Sequence, residues 1–222
     1  VKTMSGHDLG ELAIAQLFEK QGIPTFKPLG YLISGEDRKE GLARGHLLTV
    51  YQPGIEPIAS IDWRELRDEE KWDYVGYAAD TMALIHPHML FHNDLYFRNV
   101  TIDRVGKVTV PDLEHTVSMR GAANALLLRP GEAKSDALQE SIQIRINGDF
   151  SKVSESIEEF VFNTLRPRIK DPSNKFKQVR TYLYDRYEDK IKASNTEYTQ
   201  LLYKLYLNVL AKRKEDARRG KL

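Results

Sequence analysis

The sequence predicts an α+β fold in two parts: a short α+β segment up to about Gly54, and a longer, mainly helical part over 55–222. Three observations predict this division. Helical and strand patterns follow each other over the first fifty residues, helical periodicity takes over after Ser60, and a β-hairpin pattern interrupts the second part at 100–110. The last third of the chain again has helical periodicity.

Length and composition limit the classes of protein that fit. A chain of 222 residues is long enough for one compact domain or for two small lobes that share a cleft. Its 33 basic and 32 acidic residues leave a formal net charge of +1, so no global field favours nucleic acid or an acidic membrane surface as a partner. The absence of cysteine excludes disulfides and thiolate metal sites. We expect no membrane span, no signal peptide and a cytoplasmic location.

Local patterns define the elements of the first part. Asp8 with Glu11 three residues later can form a capping box, and apolar residues at helical spacing continue up to Gly22, which ends the predicted helix. The segments 30–34 and 42–51 have the β-rich composition of two strands joined by a polar turn. The first part is therefore predicted to be one helix followed by a hairpin.

The second part contains the remaining predicted elements. They are a helix over 63–85, a hairpin with strands at 100–102 and 107–110, and helices near 153–165, 174–193 and 197–218. His86-Pro87 ends the first of these helices, because proline cannot continue a helical hydrogen-bond ladder. The segment 115–150 has a mixed pattern and no assigned element.

The most specific pattern lies between His88 and Glu114. The run His92-Asn93-Asp94-Leu95-Tyr96-Phe97-Arg98-Asn99 fits H-x-D-L-x-x-x-N, and Pro111-Asp112-Leu113-Glu114 follows after the predicted hairpin. Phosphoryl transfer requires a carboxylate that orients the acceptor hydroxyl and oxygen ligands for Mg²⁺. Asp94, Asn99 and Asp112 supply these three groups, and the step from Asp94 to Asn99 lets both side chains face one cleft.

This pattern resembles the catalytic loop and the metal-binding loop of the protein-kinase-like phosphotransferases. The resemblance implies a bilobal kinase-like fold and transfer of the γ-phosphoryl group of ATP, with Mg²⁺, to a hydroxyl. It implies that Asp94 and His92 are the catalytic positions, Asp94 as the base or acceptor-orienting residue and His92 as a scaffold residue of the loop. It implies Asn99 and Asp112 as the metal ligands.

Three differences from the eukaryotic protein-kinase pattern indicate which branch of the superfamily the chain resembles most. Asn93 stands where eukaryotic protein kinases commonly have arginine, Asp112-Leu113-Glu114 replaces Asp-Phe-Gly, and no Ala-Pro-Glu follows. These features are more similar to the aminoglycoside and choline phosphotransferases or to bacterial sugar and lipopolysaccharide kinases. The expected acceptor is therefore a small molecule, a sugar or a lipid-linked hydroxyl, with an atypical protein kinase as the alternative.

The resemblance also assigns nucleotide-binding positions in the first part. It implies that Lys2 reaches the phosphates and pairs with Glu11, although Glu11 has an equal alternative as the partner in the capping box. Thr49 and Tyr51 would lie on the strand that leads to the adenine-binding backbone. No glycine-rich loop precedes Lys2, so either upstream residues supply that loop or fewer groups cover the phosphates.

Two other functions compete with phosphoryl transfer. His86, His88 and His92 form H-x-H-x-x-x-H, which can be interpreted as the zinc site of a metallohydrolase with Asp94 as a fourth ligand. The basic stretch 212–221 at the end of the last helix would instead suit a pseudokinase or an RNA-associated subunit, but its interleaved acidic residues favour a solvated helix face.

Overall fold

The computed structural model describes residues 6–37, 42–50, 52–128, 135–162 and 171–219. Within these ranges the fold is α+β and mainly helical, as the sequence predicts, whereas the bilobal kinase-like arrangement stays a prediction. The helices are α1 (Gly6–Gln21), α2 (Asp68–Ile85), α3 (Arg120–Leu128), α4 (Ser135–Ser156), α5 (Pro172–Ala193) and α6 (Thr199–Arg218). The strands are β1 (Pro28–Asp37), β2 (Leu42–Thr49), β3 (Glu56–Pro57), β4 (Leu90–Phe91), β5 (Thr101–Ile102), β6 (Val108–Thr109) and β7 (Val117–Ser118).

The first part contains the predicted helix and hairpin. Helix α1 begins at Gly6, so Asp8 lies in its first turn and not at its N-cap. It ends before Gly22, whose φ of 68° is in the left-handed region that glycine adopts without strain. Strands β1 and β2 then pair antiparallel, with Pro28 opposite Thr49. The order helix, strand, strand is as the sequence predicts.

Helix α1 packs directly on residues of the second part. One apolar cluster joins the first part to the second through the buried side chains of Ala15, Phe18, Ile23, Ile85, Leu90, Val110 and Leu113. The segment after α1 is also bound through its backbone, because Val110 N donates to Pro24 O at 2.9 Å and Thr25 Oγ1 donates to Val110 O at 2.7 Å. These contacts fix the chain immediately before Asp112. A domain division at Gly54 stays a prediction.

The predicted hairpin at 100–110 is confirmed. Strands β5 and β6 pair antiparallel, and β3 adds a third strand beside β5. The Asp103 carboxylate accepts hydrogen bonds from Val105 N and Lys107 N, and Gly106 has a φ of 77°. A side chain at position 106 would meet the Tyr77 hydroxyl, with 2.5 Å between its Cβ and that oxygen. Both the backbone angle and the space therefore require glycine at this turn.

The Gly106→Ala variant is expected to lower the free energy of unfolding by about 1 to 2 kcal/mol, because alanine is strained at this φ and must displace Tyr77. Urea unfolding measures the change. Gly148→Ala is the matched control, since Gly148 lies within α4 with open space around it and should gain about 0.5 kcal/mol from helix propensity. Equal stability of Gly106→Ala and the unmodified chain would contradict the turn geometry.

The larger core lies between α2, α4, α5 and α6. Helix α2 begins at Asp68, five residues after Trp63, whose ring is buried and stacks on Phe97 with centroids 5.5 Å apart. The predicted break after Ile85 is confirmed, since His86–His88 form a 3₁₀ turn. No helix in the described ranges has both the length and the apolar character required to cross a membrane.

The segment 115–150 differs from the sequence-based prediction. It contains β7, α3 and most of α4. The described part of the helix predicted at 153–165 is the end of α4 followed by a π-helical segment, Ile157–Phe162, and residues 163–165 lie outside the described ranges. The apolar periodicity did not predict most of α4, because this helix buries polar residues, including Asp149 and Ser156, among its apolar ones. The position of these buried polar groups leads to the candidate site.

Candidate active site

The motif loop lies between β4 and β5, and unusual backbone angles surround it. In the described ranges, the non-glycine residues with positive φ are Met89 at 53°, Asn93 at 60° and Asp112 at 49°. A left-handed conformation costs an ordinary L-residue roughly 1 to 2 kcal/mol, and asparagine or aspartate somewhat less. Such strain persists where the surrounding structure enforces it, which is common at functional sites. All three residues lie within the segment that the sequence singled out.

Asp94 and Asn99 are bound to each other. Asn99 Nδ2 donates to the backbone oxygen of Asp94 at 2.8 Å and to Asp94 Oδ2 at 2.8 Å. Arg98 Nη2 adds an ion pair to Asp94 Oδ2 at 3.1 Å. Because both acceptors on Asp94 are oxygens, the NH₂ group of Asn99 must point at Asp94, and its carbonyl oxygen Oδ1 is the atom that can bind a cation. The loop therefore fixes the Asp94 carboxylate.

His92 connects this loop to the second half of the motif. Its side chain is fully buried, and Nε2 donates to Pro111 O at 3.1 Å. Nδ1 is also buried and has no hydrogen-bond partner in the part of the chain that the structure describes. A fully buried ring cannot contact a ligand that binds from solvent. His92 thus acts on the position of its neighbours, since it joins the loop to the residue before the exposed Asp112.

Asp149 on α4 is a site residue that the sequence analysis missed. Its carboxylate is fully buried and accepts hydrogen bonds from His92 N at 3.0 Å and from Asn93 N at 2.7 Å. The same carboxylate lies 3.0 Å from His86 Nε2. Three donors thus surround one buried carboxylate. The two bonds to the backbone N–H groups hold Asn93 in its left-handed conformation and fix the backbone at the start of the motif loop.

His86 is held on both sides of its ring. Nε2 faces the Asp149 carboxylate and donates to it at 3.0 Å, and Nδ1 is hydrogen-bonded to the hydroxyl of Tyr187 at 2.8 Å. Burial raises the pKa of Tyr187 well above its usual value, which keeps the phenol protonated as a donor. Neither ring nitrogen is left for a metal ion. This occupancy opposes the zinc site of a metallohydrolase at His86, His88 and His92.

The described residues also contain no group of three or more histidine, cysteine, aspartate or glutamate side chains placed to hold a metal ion. His88 is half-buried, and this burial, together with the charge of Arg120, lowers the pKa of its imidazole. A Mg²⁺ site of the predicted kind is a different case. Asn99 and Asp112 contribute only one carboxylate, and nucleotide phosphates and water would complete the shell.

One face of α4 supports the motif loop along its length. Arg145 Nη1 donates to Asn93 Oδ1 at 3.2 Å, Lys152 Nζ donates to Tyr96 OH at 2.6 Å, and Phe97 N donates to Ser156 Oγ at 3.0 Å. Together with Asp149, the residues at 145, 149, 152 and 156 follow steps of four, three and four, which place them on one helix face. That spacing of polar residues is the sequence signal that could have located the supports.

The described structure does not test the nucleotide-binding residues that the resemblance assigns to the first part. Lys2 and Tyr51 lie outside the described residues. Glu11 is half-buried within α1, and Thr49 is exposed at the end of β2. Their roles in ATP binding stay predictions. The motif residues His92, Asp94 and Asn99, by contrast, share one loop, and Asp112 is joined to that loop through Pro111.

The basic stretch at 212–221 is partly committed to packing. Arg213 Nε donates to Asn147 Oδ1 at 2.6 Å, Arg213 Nη1 donates to Tyr184 OH at 2.6 Å, and Arg213 Nη2 donates to Ser151 Oγ at 3.1 Å. These bonds fasten α6 to α4 and α5. Arg213 therefore stabilises the packing of α6 against α4 and α5. A cation used in this way is not free to bind RNA, which does not favour an RNA-binding tail.

No protein-family model matches the chain, and no curated protein matches it either. The side-chain groups of the motif indicate what it could bind. They are a carboxylate held by two donors at Asp94, an amide oxygen at Asn99, and a second, exposed carboxylate at Asp112. Oxygen ligands of this kind bind hard cations such as Mg²⁺, and a fixed carboxylate can orient a hydroxyl and accept its proton.

Proposed function

We propose that the protein is an ATP- and Mg²⁺-dependent phosphotransferase that transfers the γ-phosphoryl group to a hydroxyl of a small molecule, a sugar or a lipid-linked acceptor. The observation that carries this proposal is the double donation from Asn99 Nδ2 to Asp94, at 2.8 Å to each oxygen. One amide group thereby orients the Asp94 carboxylate, and its own carbonyl oxygen Oδ1 would be the atom that binds a cation. Phosphoryl transfer depends mainly on such positioning and on charge neutralisation.

Asp94 is suited to orient the acceptor. Asn99 Nδ2 and Arg98 Nη2 both approach Oδ2, at 2.8 and 3.1 Å, whereas Arg98 Nη2 is 3.4 Å from Oδ1. Oδ1 is therefore the less occupied oxygen and can accept the hydrogen of an incoming hydroxyl. A purely structural cap would not need a carboxylate that is partly exposed and has one oxygen with only a long hydrogen bond.

Asn99 Oδ1 and the Asp112 carboxylate are the groups that would hold Mg²⁺. When bound, the ion would neutralise the charge that develops on the phosphates during transfer. The exposed position of Asp112 and its enforced left-handed backbone fit a ligand that is presented to a cleft. The His92 bond to Pro111 O keeps this ligand next to the loop that carries Asn99.

The direct test is Mg²⁺-dependent binding and hydrolysis of ATP, followed by an acceptor screen. Calorimetry should detect ATP binding that requires Mg²⁺ and disappears with EDTA. ADP release should then rise with one class among sugars, aminoglycosides, choline, lipid-linked sugars and proteins. If wild-type protein neither binds nor hydrolyses ATP at any Mg²⁺ concentration, the proposed function is wrong.

Two substitutions of Asp112 separate its side-chain role from its backbone role. Both Asp112→Gly and Asp112→Ala are expected to abolish Mg²⁺-dependent turnover, because each removes a metal ligand. The free energy of unfolding of Asp112→Gly should nevertheless be about 1 kcal/mol higher than that of Asp112→Ala, since glycine adopts a φ of 49° without strain and alanine does not. Urea unfolding and ADP release measure the two effects. Full turnover in either variant would contradict the assigned metal ligand.

A further inference from the structure

Three cations surround the segment from Asn93 to Arg98. Arg98 belongs to the loop itself, and Arg145 and Lys152 reach it from α4 through Asn93 Oδ1 and Tyr96 OH. None of these three side chains is required by the metal or nucleotide roles described above. Their common position is beside the acceptor-orienting carboxylate.

The guanidinium group of Arg98 is held in place but has spare donors. Its Cζ lies 4.5 Å from the centroid of the Tyr96 ring, and its side chain is 61 % exposed. Among the described side chains, Asp94 is the only carboxylate with which it pairs, through the single nitrogen Nη2. A guanidinium has five N–H donors in a planar fork. Most of them are therefore directed to solvent next to Asp94.

Tyr96 is fixed by α4. Lys152 Nζ lies 2.6 Å from Tyr96 OH and 4.8 Å from the ring centroid, and the hydroxyl donates to Glu155 Oε2 at 2.9 Å. The hydrogen bond to Tyr96 raises the pKa of Lys152, so the amine remains charged. The tyrosine ring is thus a rigid platform on which Arg98 rests, with a second cation at its edge.

The charges around this platform balance, so what an anion could bind is the set of unused donors on Arg98. The segment from Asn93 to Arg98 is contacted by three cations and three carboxylates: Arg98, Arg145, Lys152, Asp94, Asp149 and Glu155. Asp149 is fully buried and accepts hydrogen bonds from two backbone N–H groups and from His86. Asp94 and Glu155 each pair with one cation, at 3.1 Å for Arg98 and 3.5 Å for Lys152. The pair with Asp94 uses only Nη2 of Arg98, so the rest of its planar fork stays open to an anionic group.

We propose that Arg98 and Lys152, braced by Tyr96, form an anion-binding subsite beside Asp94, and that the acceptor is a hydroxyl compound that carries a phosphate or carboxylate group. This inference rests on the proposed phosphotransferase function. Arg98 binds the anionic group of the acceptor, ideally through two parallel N–H bonds, and its hydroxyl is thereby directed to Asp94 Oδ1. The acceptor oxygen then bonds to the γ-phosphorus as the bond to the ADP oxygen breaks, and the hydroxyl proton passes to Asp94.

Binding of matched probes without nucleotide tests the subsite. Glycerol 3-phosphate and glucuronate are compared with glycerol, glucose and choline by NMR titration of the ¹⁵N-labelled protein. The two anionic probes are expected to bind about tenfold more tightly than the neutral ones, with shifts at the Arg98 side chain and at the amides of 93–99. Their affinity should fall as salt rises. Equal affinity for anionic and neutral probes, or preference for choline, would overturn the proposal.

Substitutions of Arg98 test whether the anionic probes bind at this residue. Arg98→Gln should weaken both anionic probes about tenfold, and Arg98→Lys should weaken them less, since lysine keeps the charge and loses the fork. Lys177→Gln, which removes an exposed cation on α5, is the matched control and should change neither affinity. Circular dichroism checks that each variant is folded. Anion binding that is insensitive to Arg98→Gln would place the ligand elsewhere and refute the subsite.

The two proposals fail in different ways. If wild-type protein binds and hydrolyses Mg²⁺-ATP but does not discriminate between glycerol 3-phosphate and glycerol, the subsite is wrong and the phosphotransferase function stands. If it binds neither ATP nor Mg²⁺, the phosphotransferase function is wrong, and an anionic acceptor is refuted with it.

Discussion

Replacing Asp94 by asparagine is expected to lower ATP-dependent turnover by about 10²- to 10⁴-fold, the contribution typical of a positioned acid or base. The amide of the variant can still accept a hydrogen bond from Asn99 Nδ2 or Arg98 Nη2, so the loop should keep its shape. The amide of the variant can no longer take up the proton of the incoming hydroxyl effectively. The loss should therefore appear in kcat, with little change in the affinity for Mg²⁺-ATP.

The measurement is steady-state ADP release with Mg²⁺-ATP, together with calorimetric ATP binding. Asp136→Asn is the matched control, because Asp136 is an exposed carboxylate in the first turn of α4, at the opposite end of the helix from the residues that support the loop. That variant should retain wild-type turnover. Undiminished turnover of Asp94→Asn would refute the assignment of Asp94, and with it the proposed direction of the acceptor.

Replacing Asp149 by asparagine is expected to lower the free energy of unfolding by at least about 2 kcal/mol, although the substitution is nearly isosteric. The three partners of the carboxylate, His92 N, Asn93 N and His86 Nε2, are all donors. An asparagine has only one acceptor oxygen, and its NH₂ group would face one of these N–H groups. The variant therefore leaves a buried donor unsatisfied and places two donors against each other.

Urea unfolding followed by circular dichroism measures this loss. Asp185→Asn, at an exposed position within α5, is the control and should stay within about 0.5 kcal/mol of the unmodified chain. The amides of His92 and Asn93 should also lose protection against hydrogen exchange in Asp149→Asn. Wild-type stability in this variant would show that the buried carboxylate does not organise the loop.

Asp149 would affect the proposed activity through the geometry of the motif loop. Two backbone amides of the motif loop are held by one helix, and the same helix supplies Ser156 to the amide of Phe97 at 3.0 Å. Asp94 lies between these anchors and therefore has little freedom to move. A loop fixed at both ends can keep a left-handed Asn93 without a glycine, and it can hold a carboxylate ready before a substrate binds.

Several elements could be predicted from the sequence because residues close together in the chain determine them. The hairpin of β5 and β6 follows from β-type residues on either side of Gly106, and α2 ends where His86-Pro87 interrupts its hydrogen bonds. The candidate residues Asp94, Asn99 and Asp112 were found because their spacing is a pattern within the chain. The structure adds that Asn99 binds Asp94 directly, which spacing alone does not state.

The supports of the site required the tertiary structure. Asp149 lies 57 residues from His92 along the chain, and Tyr187 lies 101 residues from His86, so no local pattern connects them. Most of helix α4 was missed for the same reason, because polar residues that are buried by distant partners interrupt its apolar periodicity. The sequence by itself determined the α+β class, the hairpin and the candidate groups of the motif. Only packing decided which buried partners hold these groups, since a buried carboxylate is stable only where the fold brings donors to it.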